Sequence, residues 1–109
     1  MKNQDREYSL EQIRIAQAEI ALETGKAGLT KNEMLSLEKA TLHLRNLERL
    51  LVAILEKNLI AALKEETKAL KTLSEEMADN SRRLFRLTNL LREIVKITGR
   101  IIEILALVK

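Results

Sequence analysis

Apolar side chains recur along this chain at intervals of three and four residues, the period of a helix that buries one face. The first stripe is Leu10, Ile13, Ala16 beside Gln17, and Ile20, with Ile15, Ala18 and Leu22 widening it. Ser9 stands just ahead, with Gln12 three residues on. At that spacing a hydroxyl accepts from the third helical amide and a Gln side chain reaches back to the cap. The pattern predicts a helix over 10–24, with residues 1–8 as an unstructured arm and Gly25 as its left-handed stop.

Thr30 and Glu33 repeat the capping-box spacing, and Leu29 and Met34 occupy the positions of a hydrophobic staple around it. A second helix therefore starts at residue 31. No Gly interrupts the chain between Leu29 and Gly99, and there is no Pro anywhere. Residues 31–78 carry one stripe at Leu37, Ala40, Leu44, Leu47, Leu51 and Ile54, then another at Leu59, Leu63, Leu70, Leu73 and Met77. At about 100° per residue the two are offset by roughly a quarter turn, against the drift of a heptad repeat. Either the helix breaks near Glu56-Lys57-Asn58, giving helices over 31–57 and 59–78, or one rod changes partner there. Asp79-Asn80-Ser81 is a turn in either case. A last helix follows over 82–108 with the stripe Leu84, Leu87, Leu91, Ile94, Val95, Thr98, Ile101, Ile102 and Leu105. Gly99 lies inside it, at a cost of about 1 kcal/mol against Ala unless another backbone packs close.

The fold class is all-α: one domain spanning 1–109, an antiparallel bundle of three or four helices completed by homo-oligomerisation. The chain holds 21 Leu and 10 Ile but only Tyr8 and Phe85 as aromatics, a composition that excludes a β-rich domain. Oligomerisation is expected because Leu50–Leu55 and Ile101–Val108 are apolar around the whole helix, and a small chain has few neighbours to cover them. The candidate interface is Leu50, Leu51, Ile54, Leu55, Ile101, Ile104, Leu107 and Val108. The apolar stretch from Leu50 to Leu63 contains Glu56 and Lys57 and is too short to span a bilayer. The polar N-terminus lacks a signal-peptide core, so a cytoplasmic location is expected.

Net charge is +3, but residues 81–109 alone carry +5. Arg82, Arg86, Arg92, Lys96 and Arg100 fall on one arc of the last helix, opposite its apolar stripe, with Arg83 beside them and Glu93 and Glu103 diluting them. Such an arc can hold phosphates, so a nucleic-acid-associated role is the alternative to a protein-binding one.

Enzyme chemistry is poorly supplied. There is no Cys and one His, His43, so thiolate and multi-histidine metal sites are excluded. A phosphotransfer histidine needs a following Lys-Gly pair, or an acidic residue and a Pro, and neither accompanies His43. Glu76 and Asp79 share a helix face, but a hard cation wants more carboxylates than two, typically from a second helix. Glu7/Glu11, Glu19/Glu23 and Glu65-Glu66 do not supply the Glu-x-x-Glu partner. No cofactor is expected, and the sequence points to a non-enzymatic structural or interaction protein.

Overall fold

A computed structural model describes residues 3–53 and 59–107 of the chain. They form four helices: α1 (Asn3–Thr24), α2 (Lys31–Val52), α3 (Ile60–Asn80) and α4 (Phe85–Leu107). Each helix packs on its neighbours in sequence, and α1 packs on α4. The result is a square antiparallel bundle measuring 49 × 20 × 18 Å. A single chain closes it, with the core drawn from all four helices. Each wholly buried Leu or Ile contributes about 1.5–3 kcal/mol of transfer free energy.

The stripe offset within residues 31–78 marks a change of helix rather than a change of partner along a rod. α2 ends at Val52, where the Ala53 amide donates to the Arg49 carbonyl at 3.1 Å. The expected bound at residue 57 lies, with Ile54 and Leu55, outside the described residues. α3 begins at Ile60 with no side-chain cap, and so leaves no capping signature in the sequence.

α1 departs further from expectation. It begins at Asn3, so residues 3–8 are helical rather than an arm. Ser9 is no cap: it is completely buried, and its hydroxyl has no partner among the described residues. The reason is tertiary. The long α4 offers a surface beside the first turns of α1, where Asp5 approaches Arg100 at 3.9 Å. Packing of this kind outweighs a local cap signal. Ile15, Ala18 and Leu22, expected to widen the core stripe, are exposed. Ile97, outside the expected stripe of α4, is wholly buried.

The α1–α2 and α3–α4 connections meet at one end of the bundle. Thr30 caps α2 as expected: the Glu33 amide donates to Thr30 Oγ1, and the Thr30 amide donates to Glu33 Oε1, both at 3.0 Å. Glu33 Oε2 accepts from the Ser81 hydroxyl at 2.6 Å, and Ser81 Oγ accepts from the Leu84 amide at 3.2 Å. One carboxylate thus ties both loops together. The Ser81 and Thr30 hydrogen bonds, with the nearby Arg83 charge, hold Glu33 below the ordinary carboxylate pKa. Gly25 is not the left-handed residue; that conformation falls to Gly28, at φ 83°. Its neighbour Ala27 accepts from Arg83 Nη1 at 3.3 Å.

The buried threonine hydroxyls, unlike that of Ser9, are satisfied by carbonyls one turn back along the chain. Thr67, Thr88 and Thr98 donate to the carbonyls four residues earlier, at 2.7, 2.9 and 2.9 Å.

Candidate interaction surface

The expected oligomer surface divides. Leu51 and Ile101 have no exposed area and belong to the core of the single chain, so neither can meet a partner. Leu50 and Ile104 are half-buried. Leu107 is 83% exposed. Ile54, Leu55 and Val108 lie outside the described residues. The antiparallel topology brings the end of α2, where Val52 is also exposed, and the end of α4 to the same end of the bundle.

A second apolar surface was not anticipated. Tyr8, Ile15 and Leu22 follow one another at seven-residue intervals along α1 and are 41, 43 and 64% exposed. They lie on the side of α1 that faces α4. Ile15, Ala18, Leu22 and, from α4, Leu90 give an apolar lining to a groove of about 520 Å³ between the two helices. Gln12, Glu19, Arg86, Asn89 and Glu93 supply its polar groups. The seven-residue spacing was visible in the sequence. What hid it was the breadth of the stripe, because a wide apolar arc reads equally as one broad core face or as a core face beside a surface face.

The basic arc of α4 is split by its neighbours. Arg86 leans toward α1, where its guanidinium lies 3.8 Å from the Glu19 carboxylate. Arg100 does the same with Asp5. Arg92 and Lys96 turn to the other side and border a shallow groove with Lys71 and Glu75 of α3. Arg82 is exposed in the turn before α4. The five cations are therefore not one continuous stripe.

His43 is half-buried between α2 and α3. Its Nδ1 lies 2.8 Å from Glu66 Oε2, and Asn46 Nδ2 donates to Glu66 Oε1 at 3.1 Å. A carboxylate accepts only, so Nδ1 carries the hydrogen. Both oxygens of Glu66 are used in clasping α2, which is the work of a structural cross-link between helices. Glu76 and Asp79 are exposed, and among the described residues no cluster of three or more metal-ligating side chains occurs. Among those residues, no helix is long and apolar enough to cross a membrane. Comparison with known protein families, curated proteins and solved structures yields no match.

Proposed function

We propose that this chain is a non-enzymatic helical bundle that works by binding protein through apolar helix faces, first of all a second copy of itself. One observation carries the reading. The core is closed by the chain's own four helices, yet large apolar side chains remain outside it on several helices, from Ile15 and Leu22 on α1 to Leu42 on α2 and Leu107 on α4. Isolated exposed apolar residues are ordinary, but aligned ones form patches that mark interaction surfaces.

Size-exclusion chromatography with light scattering at micromolar concentrations tests this. A dimer or larger species is expected, and a 12.5 kDa particle across the range would refute it.

Nucleic-acid binding is the second reading, supported by Arg82, Arg92 and Lys96, which make no ion pair among the described residues. Carboxylates beside Arg86 and Arg100 weaken it. Binding to duplex DNA or RNA no tighter than about 10⁻⁵ M at physiological salt is expected. Submicromolar binding that disappears when Arg86, Arg92 and Arg100 are replaced by Gln would put this reading first.

A further inference from the structure

Resting on the self-association just proposed, we infer that the second copy docks on the α1–α4 face, related by a two-fold axis parallel to the helices. Tyr8, Ile15 and Leu22 form a line down this face, and the groove beside them is lined by apolar side chains from both helices. With α1 of 22 residues, about 33 Å long, the face measures roughly 33 × 20 Å. That is near the ~800 Å² per partner that a stable interface buries.

Charge selects the occupant and its orientation. Where the two helices meet, α1 presents Asp5 and Glu19 and α4 presents Arg100 and Arg86 with Glu93 beside them, while Arg92 and Lys96 lie on the α3 side. A surface with carboxylates on one helix beside guanidiniums on the other is complementary to itself. A two-fold axis along the bundle sets each α1 over the other copy's α4, so that unlike helices alternate around a square of four. Glu19 and Arg86, already 3.8 Å apart within one chain, then meet their counterparts at the same height. A two-fold axis running across the helices instead sets α1 on α1 and α4 on α4, with like charges opposed. The parallel axis also brings each of Tyr8, Ile15 and Leu22 level with its own copy.

Ile15→Lys with Leu22→Lys places two cations against the α4 guanidiniums of the other copy, at positions exposed enough to leave the fold intact. Light scattering should show the mass falling from twice 12.5 kDa to 12.5 kDa, with far-UV circular dichroism unchanged. Because the chain has no Cys, Tyr8→Cys and Leu22→Cys each introduce a single thiol. Each variant should cross-link to itself with a short bis-maleimide. An axis across the helices cannot do this at both sites: they stand about 21 Å apart along α1, so at least one like pair would be separated by that much or more.

A double-Lys variant that remains dimeric overturns this face while self-association stands. Cross-linking confined to a mixture of the two Cys variants overturns the orientation. A monomeric native chain overturns both the dimer and the reading it rests on.

Discussion

Gly99 sits in the middle of α4, and a Cβ built there would meet nothing within 4 Å. Its backbone is helical, so the residue contributes only the conformational freedom that the unfolded chain must give up. Gly99→Ala should therefore stabilise the protein by about 0.8–1 kcal/mol, the propensity difference between the two residues in a helix interior. For a domain of this size that is a rise in Tm of about 4–8 °C. Gly28→Ala should do the reverse. At φ 83° the strain lies in the backbone rather than in contacts, since the nearest atom to an added Cβ is Arg83 Nη2 at 3.6 Å. A left-handed residue with a Cβ costs about 1–2 kcal/mol. Gly25→Ala meets the Leu22 carbonyl at an ordinary 3.6 Å without a left-handed φ, and should fall within about 0.5 kcal/mol of the parent. Thermal and urea melts at one fixed protein concentration check the order, because the proposed association would make Tm depend on concentration. A Gly99→Ala protein that melts lower than the parent would mean that another backbone lies against α4 there. Gly28 more tolerant than Gly25 would refute the assignment of the turn.

Three further outcomes follow from local geometry. Thr30→Ala should lose about 0.5–2 kcal/mol with the α2 cap, whereas Thr41→Ala, whose hydroxyl bonds only its own helix at Leu37, should lose nothing comparable in the same melts. Ser9→Ala should be neutral or stabilising, since it removes a buried hydroxyl without a partner among the described residues; a loss of the size expected for a cap would restore Ser9 as a helix start. Glu33 has its folded pKa lowered, so its contribution is complete above the ordinary value of 4.5 and is lost as pH falls through the lower folded value. Stability measured from pH 7 downward should show this loss in the native chain and show less of it in Glu33→Gln.

Which features were legible in the sequence follows from how far apart the interacting residues are. Thr30 and Glu33 satisfy each other across one turn, so their spacing alone predicts the cap, and the structure has it. Ser9 and Gln12 have the same spacing and do not form it, because whether Ser9 faces solvent or core is decided by the helices packed on α1, α2 and the distant α4. The glycines divide in the same way. Residue type announces a turn between Thr24 and Thr30, but the choice of Gly28 over Gly25 for the positive φ accompanies the Arg83 contact to Ala27, 56 residues along the chain. The Glu66 clasp on His43 and Asn46 needs the α2–α3 register, which depends on where the turn falls. Ile15 and Leu22 are the most instructive case. Their apolarity was plain, but surface and core cannot be told apart until the neighbouring helix is in place. Once the neighbouring helices close over Ile13, Ala16 and Ile20, the described residues form no fifth helix to cover Ile15 and Leu22. What remains is an apolar line beside Arg86 and Arg100 of α4 and Asp5 and Glu19 of α1, and the proposed second copy of the same face would supply both the apolar cover and the opposite charges.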